Sequence, residues 1–143
     1  MSARPILLVE DNPLDVDLTL RAFRRQQIAH PIEVARDGEE ALALKARWHA
    51  GAPLPAVVLL DLNLPRVHGL DVLRDFKSDD LVRAVPVVVL TTSAEHEDVQ
   101  QAYRLGANSY IVKPVEFDAF VDVATQIERY WTHLNLQPAD TRS

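Results

Sequence analysis

Four short apolar runs recur along the chain, each rich in Val, Ile or Leu, and each is followed by a polar or charged residue. The runs cover residues 6–9, 57–60, 87–90 and 110–112. Runs of this length and composition are typical of strands that are buried on both faces of a parallel sheet. Because helical patterns separate the runs, the chain is restricted to alternating strands and helices.

The polar residues that follow the four runs carry the functional prediction. Glu10 and Asp11 follow the first run, and Asp61, Thr91 and Lys113 follow the other three. In an open α/β sheet the carboxyl ends of parallel strands form one edge, where ligands bind. We therefore expect three carboxylates, a hydroxyl and an amine to converge at that edge.

Five strands and five helices in alternation predict an α/β fold, a flavodoxin-like (βα)5 doubly wound unit with sheet order 2-1-3-4-5. The remaining strand is expected at residues 32–35. Helices are expected after Asn12 and at about 38–48, 70–77, 97–105 and 117–134. In this order strands one and three are neighbours, which brings Asp11 next to Asp61.

Composition narrows the functional classes. The chain has 143 residues, a net charge of −6 and no Cys. The length predicts one domain, and the lack of Cys excludes a disulfide framework and a thiolate metal site. No apolar run approaches the roughly 20 residues of a membrane-spanning helix. We expect a cytoplasmic protein without a signal peptide, and the negative charge argues against DNA as its main partner.

The predicted edge suits phosphoryl transfer. Carboxylate oxygens are ligands that Mg²⁺ prefers, and Asp11 and Asp61 could hold the ion. A carboxylate such as Asp61 can act as the nucleophile and form an aspartyl-phosphate. Lys113 and Thr91 could then neutralise and hydrogen-bond the phosphoryl oxygens.

The motifs at these strand ends resemble those of the receiver domain of two-component response regulators. They are Val9-Glu10-Asp11-Asn12, Leu60-Asp61-Leu62-Asn63-Leu64-Pro65 with Gly69, Leu90-Thr91-Thr92-Ser93 and Lys113-Pro114. The resemblance covers about residues 6–134. It predicts a receiver domain over residues 1–136 and a flexible tail over 137–143.

The resemblance implies specific roles for the acidic residues. Asp61 would accept a phosphoryl group from a histidine kinase. Glu10 and Asp11 would serve Mg²⁺, partly through water, and Asn63 would offer its backbone carbonyl to the ion. We expect self-phosphorylation and autodephosphorylation only, and no enzyme that acts on a foreign substrate.

The resemblance also implies a switch. Thr91 and Tyr110 correspond to a pair in which the hydroxyl is drawn to the phosphate while the aromatic ring turns inward. The Lys113–Pro114 peptide bond is expected to be cis. His68 stands where many receivers carry an acid or Asn, but this departure removes no catalytic group.

Within the family, the chain is similar to single-domain receivers that partner bacterial phytochrome kinases. The supporting residues are 8–15, 90–93, 113–115 and the late Tyr130-Trp131 pair. Without an output domain, a signal would pass by protein contact or onward phosphotransfer. The long last helix places Tyr130, Trp131 and Leu134 as candidates for a homodimer surface near helix 4, strand 5 and helix 5. The alternative is that these residues pack within their own domain.

Three other functions are compatible with parts of the pattern. A flavodoxin-like electron carrier shares the architecture, but Glu10 and Asp11 would repel the phosphate of FMN. A Mg²⁺-dependent phosphatase with an Asp nucleophile usually needs a second titrating acid where this chain has Asn63. A receiver that docks without phosphorylation would leave the set of Asp11, Asp61, Thr91 and Lys113 unexplained.

Overall fold

The computed structural model describes residues 4–25, 30–140 and 142. The strands are β1 (Ile6–Val9), β2 (Ile32–Ala35), β3 (Val57–Leu60), β4 (Val87–Thr91) and β5 (Ser109–Val112). The helices are α1 (Pro13–Arg25), α2 (Gly38–His49), α3 (Gly69–Ser78), α4 (His96–Arg104) and α5 (Phe117–Arg129). A 3₁₀ turn, Val82–Ala84, precedes β4, and a π-helical turn, Tyr130–Leu134, follows α5.

The strands form one parallel sheet in the order β2-β1-β3-β4-β5, which confirms the predicted topology. The register aligns the strand ends: Val9 lies opposite Leu60, and Leu60 lies opposite Val89. Thr91 lies opposite Val112 at the end of β5. The residues that follow β1, β3 and β5 therefore emerge at one edge, beside Thr91 at the end of β4.

Alternate residues of the central strands enter two apolar layers. Ile6 and Leu8 pack on the side of α1 and α5. Leu7 and Val9 pack on the other side, with residues of α2, α3 and α4. All four are at most 3% exposed, and burial of such a side chain stabilises the fold by roughly 1.5–3 kcal/mol. The two layers fix the sheet and hence the position of its carboxyl edge.

The strand β5 differs from the sequence prediction. Its residues are half-buried, and Val112 is 44% exposed. The expectation of burial on both faces is wrong for this strand, because β5 is an edge strand and pairs with β4 alone.

The last helical segment spans the predicted residues 117–134, but only its first part is α-helical and the rest is a π-helical turn. Phe120, Ala124 and Ile127 are buried as expected, whereas Leu134 is 77% exposed. The α-helix ends at Arg129. The hydroxyl of Thr132 donates to the backbone carbonyl of Glu128 at 2.6 Å, and such a bond competes with the regular backbone pattern and bends a helix.

Part of the predicted tail contacts the amino-terminal edge of the sheet. The guanidinium of Arg4 donates to the carbonyl of Pro138 at 3.3 Å. Arg142 donates to the carbonyls of Trp48 and, at 2.8 Å, Ala52. Residues 1–3, 141 and 143 lie outside the described residues, and the flexibility of the tail stays a prediction.

No helix among the described residues combines the length and apolar character needed to cross a membrane.

Candidate functional site

Three carboxylates converge at the carboxyl edge. Glu10 and Asp11 follow β1 and Asp61 follows β3, and one oxygen from each lies within 4.8 Å of the other two. Glu10 and Asp61 are buried, at 3% and 6% exposure, and Asp11 is exposed. The predicted cluster therefore forms, with two acids inside the site and one facing solvent.

The sheet ladder extends into the site and fixes its backbone. The amide of Glu10 donates to the carbonyl of Ala35, and the amide of Asp61 donates to that of Val9, both at 3.0 Å. The amide of Lys113 donates to the carbonyl of Thr91 at 2.7 Å. Because these are strand-like contacts, the predicted site residues lie at the rigid ends of strands.

A glycine allows α3 to approach Asp61 closely. A Cβ atom at Gly69 would lie 2.4 Å from the carbonyl oxygen of Asp61 and 2.4 Å from Cα of Leu62. The amide of Gly69 instead donates to the carbonyl of Leu62 at 2.9 Å. His68, just before it, caps α3, since its Nδ1 accepts from the amide of Leu70 at 3.1 Å. The departure at His68 thus preserves a helix cap.

The acceptor candidate, Asp61, is held by three kinds of donor. Its Oδ1 accepts from the hydroxyl of Thr91 at 2.8 Å and from the amide of Asn63 at 3.1 Å. Its Oδ2 accepts from the ammonium of Lys113 at 3.0 Å. The predicted partners Thr91 and Lys113 are therefore both in direct contact with Asp61.

Lys113 makes an unusual number of charged contacts. Its side chain is 5% exposed, and the ammonium also contacts Glu10 and, at 2.8 Å, Oδ2 of Asp15. Sequence reasoning missed Asp15. The available signal was an acid in the first turn of a helix that starts at the carboxyl edge.

Burial and pairing shift the pKa values of the two buried acids, Glu10 and Asp61, in opposite directions. Burial raises the pKa of Glu10 to about 7, although the hydrogen bond from Lys113 opposes the shift, and the charge of Asp61 adds to it. Burial also acts to raise the pKa of Asp61, but contacts with Glu10, Lys113 and the amide of Asn63 hold that pKa below its ordinary value. Burial likewise acts to lower the pKa of Lys113, but its hydrogen bonds to Asp15 and Glu10 raise that pKa above its ordinary value. These opposite shifts favour the charged form of Asp61 over that of Glu10, as the predicted role of Asp61 requires.

The candidate switch residues lie at different depths. Thr91 is fully buried and bonded to Asp61. Tyr110 is half-buried, and its hydroxyl donates to the carbonyl of Ser93 at 2.8 Å, in the loop between β4 and α4. Burial raises the pKa of Tyr110 above its ordinary value, with the hydrogen bond to Ser93 acting against the shift. The switching role of the pair stays a prediction.

Two expectations for backbone groups have different outcomes. No cis peptide bond is present among residues 4–25, 30–140 and 142, so the expected cis bond between Lys113 and Pro114 is wrong. The trans form is the intrinsically favoured isomer even before proline. The carbonyl of Asn63 as a metal ligand stays a prediction.

The acidic cluster fits a hard divalent cation. It offers carboxylate oxygens alone, from Glu10, Asp11 and Asp61, and its ligand atoms are close enough to share one ion. Such oxygen sites suit Mg²⁺ and Mn²⁺ better than softer metals. The metal prediction is therefore consistent with the donor set of this edge.

Comparisons with known proteins agree with this geometry. The family model for the response regulator receiver domain matches residues 6–125 of this chain. The probable methanogenesis regulatory protein FilR2 of Methanothrix harundinacea is 44% identical over 134 residues, covering 93% of this chain and 86% of FilR2. The response regulator Rcp1 of Synechocystis sp. is 35% identical over 136 residues, covering 94% and 92% of the two chains.

Solved structures share the whole fold. The phosphorylated cyanobacterial phytochrome response regulator RcpA has a TM-score of 0.89 at 36% identity, over 95% of this chain and 99% of its own. The Mn²⁺-bound form of Rcp1 also has a TM-score of 0.89, at 34% identity, over 96% of this chain and 100% of its own. The bacteriophytochrome response regulator AtBRR has a TM-score of 0.73 at 45% identity, over 98% of this chain and 99% of its own.

The parallel (βα)5 fold and its acidic carboxyl edge define a signalling receiver with a metal-binding cluster. With the family match over most of its length, the chain belongs to the response regulator receiver family. Its homologues include phytochrome response regulators.

Proposed function

We propose that this protein is a response regulator that accepts a phosphoryl group on Asp61 from a histidine kinase. The observation that carries the proposal is the environment of Asp61. This buried carboxylate accepts hydrogen bonds from the hydroxyl of Thr91, the backbone amide of Asn63 and the ammonium of Lys113. These groups are suited to orient a nucleophile and to neutralise the oxygens of an incoming phosphoryl group.

The chemistry is a single in-line displacement. A carboxylate oxygen of Asp61 attacks phosphorus, and an oxygen–phosphorus bond forms as the bond to the leaving group breaks. The leaving group, an imidazole nitrogen of phosphohistidine or an acetate oxygen of acetyl phosphate, keeps the electron pair. Lys113 and Thr91 neutralise and hydrogen-bond phosphoryl oxygens during this step.

Magnesium is the proposed cofactor. Glu10, Asp11 and Asp61 would hold it, with the carbonyl of Asn63 as a further ligand, and when bound it would supply positive charge to the phosphoryl oxygens. The Mn²⁺-bound structure of the relative Rcp1 supports divalent metal binding in this family.

A histidine kinase of the phytochrome type is the proposed partner. Support comes from the similarity to RcpA and AtBRR, which are described as phytochrome and bacteriophytochrome response regulators. We further propose that Thr91 and Tyr110 transmit the phosphorylated state. When the Thr91 hydroxyl turns from Asp61 to the phosphoryl group, Tyr110 would leave Ser93 and turn inward.

We also propose that the β5–α5 surface forms a homodimer. A groove of about 510 Å³ lies there, and Ile111, Tyr130 and Trp131 are among its lining residues. Tyr130 is 49% exposed and Leu134 is 77% exposed. Trp131 also packs against its own core, which agrees with the alternative for that residue alone.

Light scattering tests the dimer. We expect a dimer that Leu134→Asp weakens, because a charge would be placed on the apolar contact. Leu14→Asp, at another exposed leucine, should leave the dimer unchanged. A monomer at high micromolar concentration would contradict the proposed surface.

Intact mass after incubation with Mg²⁺ and acetyl phosphate tests the phosphorylation itself. We expect the wild-type protein to gain the mass of one phosphoryl group and Asp61→Asn to gain none. Gain by both proteins, or by neither, would overturn the proposal. The variant keeps the size of the side chain and an acceptor oxygen for Thr91, so far-ultraviolet circular dichroism should confirm that it folds.

A further inference from the structure

Lys113 has a carboxylate partner that the phosphorylation chemistry does not use. Oδ2 of Asp15 lies 2.8 Å from the ammonium, and its side chain is 20% exposed. Asp15 belongs to the first turn of α1. That turn is capped by Asn12, whose Oδ1 accepts from the amides of Leu14 and Asp15 at 2.9 and 3.3 Å. The contact to Lys113 therefore originates from a capped helix end.

The contacts of Lys113 occupy its whole donor capacity. An ammonium group has three N–H donors, and the carboxylates of Glu10, Asp15 and Asp61 accept from it. Glu10 and Asp61 also belong to the three acids whose oxygens could share a metal ion, whereas Asp15 does not. Glu10 and Asp61 are thus candidate metal ligands as well as partners of the ammonium, whereas Asp15 is outside that cluster.

We propose that Asp15 is a positioning residue that holds the Lys113 ammonium in the site while Glu10 and Asp61 engage metal and phosphoryl group. This inference rests on the proposed function of Asp61. A buried ammonium that loses its partners is costly, so a permanent carboxylate keeps Lys113 inside. It also leaves the other N–H groups of Lys113 free to turn to phosphoryl oxygens.

A general effect of negative charge at the start of α1 is the simpler alternative. Acids stabilise helix N-termini through the helix dipole, whatever they contact. Asp17, on the same helix, provides a matched control, because it is 47% exposed and pairs with Arg21 at 3.0 Å. A dipole effect would be independent of Lys113, whereas a positioning effect requires it.

A double-mutant cycle separates the two explanations. The initial rate of phosphorylation by acetyl phosphate with Mg²⁺ is measured by intact mass for Asp15→Ala, Lys113→Met and the double variant. We expect Asp15→Ala to lower the rate roughly ten-fold, since misplaced catalytic groups cost this much or more. In the Lys113→Met background, Asp15→Ala should cause no further loss. Asp15→Asn, which keeps an acceptor oxygen, should recover part of the rate, and Asp17→Ala should match wild type.

Two kinetic outcomes would overturn the inference. One is an unchanged rate for Asp15→Ala in the otherwise wild-type protein. The other is an equal loss in both backgrounds, because Asp15 would then act without Lys113. Thermal unfolding of each variant identifies any loss of fold, and Asp15→Asn preserves the test if Asp15→Ala is unstable.

A metal-free measurement tests the same contact without phosphorylation. A buried, paired ammonium exchanges its protons slowly, so ¹H–¹⁵N correlation spectra should contain a Lys113 side-chain signal, assigned by its loss in Lys113→Met. We expect the signal to persist in Asp17→Ala and to be lost or broadened in Asp15→Ala. An unchanged signal in Asp15→Ala would overturn the inference. If the wild-type protein gains no phosphoryl group, the proposed function fails, and this spectrum still decides the role of Asp15.

Discussion

Charged side chains make different kinds of contact at the two edges of the sheet. At the carboxyl edge, charged side chains contact one another: Lys113 pairs with Glu10, Asp15 and Asp61. At the amino-terminal edge, several charged side chains contact backbone groups, although Asp79 also pairs with His49 there. Lys77 donates to two carbonyls before β4, at 3.1 and 3.0 Å.

Other charges at the amino-terminal edge also contact the backbone. Arg4 donates to two carbonyls before β3, at 3.1 and 2.9 Å. Oδ1 of Asp79 accepts from the amides of Leu81 and Val82 at 2.9 and 3.1 Å. Charges that satisfy fixed backbone groups stabilise loops. Charges that satisfy each other can exchange partners, and so they can be recruited by a metal ion or a phosphoryl group.

The largest expected effect compares the buried Lys113 with the half-buried Lys77. Lys113→Met should lower the initial rate of phosphorylation by acetyl phosphate about a hundred-fold, because it removes a preorganised charge from the transferred group. Lys77→Met should leave that rate unchanged and lower the free energy of unfolding by about 1–3 kcal/mol, because it leaves carbonyls without a donor. Intact mass and urea unfolding measure the two effects. A similar loss of rate in both variants would break the comparison.

Mg²⁺ should stabilise the protein through acids at the carboxyl edge and not through acids at the amino-terminal edge. Addition of Mg²⁺ at about 100 times its dissociation constant should stabilise the wild-type protein by about 2.7 kcal/mol, and a chelator should reverse the gain. Asp11→Asn should reduce this gain, because it removes a ligand oxygen's charge. Asp79→Asn should retain it. Thermal unfolding with and without Mg²⁺ is the measurement, and an equal gain in Asp11→Asn would contradict the assignment of the cluster.

The smallest expected effect concerns Asp79 and pH. Burial acts to raise its pKa, but hydrogen bonds from His49 and from the amides of Val82 and Leu81 outweigh burial and hold that pKa below its ordinary value. The carboxylate therefore stabilises the fold above its ordinary pKa, and this stabilisation is lost as pH falls through the lowered, folded-state pKa. Asp79→Asn keeps an acceptor oxygen for the two amides but removes the charge that faces His49, so it should cost about 0.2–1 kcal/mol at pH 7.

Urea unfolding of both proteins across the acidic range tests this sign. The difference between wild type and Asp79→Asn should shrink as pH falls below about 4. A difference that grows on acidification would be incompatible with a lowered pKa for Asp79.

The sequence predicts the carboxyl edge because its signals are local. An apolar run predicts a strand, and the residue after it must lie at the strand end, so Asp61, Thr91 and Lys113 are located without knowledge of packing. The order of the sheet then brings the ends together. This is why the cluster of Glu10, Asp11 and Asp61 is confirmed.

Features that depend on distant parts of the chain escape sequence reasoning. The contact between Asp15 and Lys113 joins residues 98 positions apart; the local pattern places Asp15 near the edge but does not specify Lys113 as its partner. The half-exposure of β5 depends on which strand lies at the edge. The trans peptide bond before Pro114 differs from what the family resemblance implied.

The central claim is that the charged groups at the carboxyl edge support formation of an acyl phosphate on Asp61. Locating the modified residue tests this claim most directly. Wild-type protein is incubated with Mg²⁺ and acetyl phosphate, digested under acidic conditions and mapped by peptide mass spectrometry. We expect a phosphoryl group on the peptide that contains Asp61 and on no other peptide. A phosphoryl group on a different residue, or none on the Asp61 peptide of an intact and folded protein, would contradict the account.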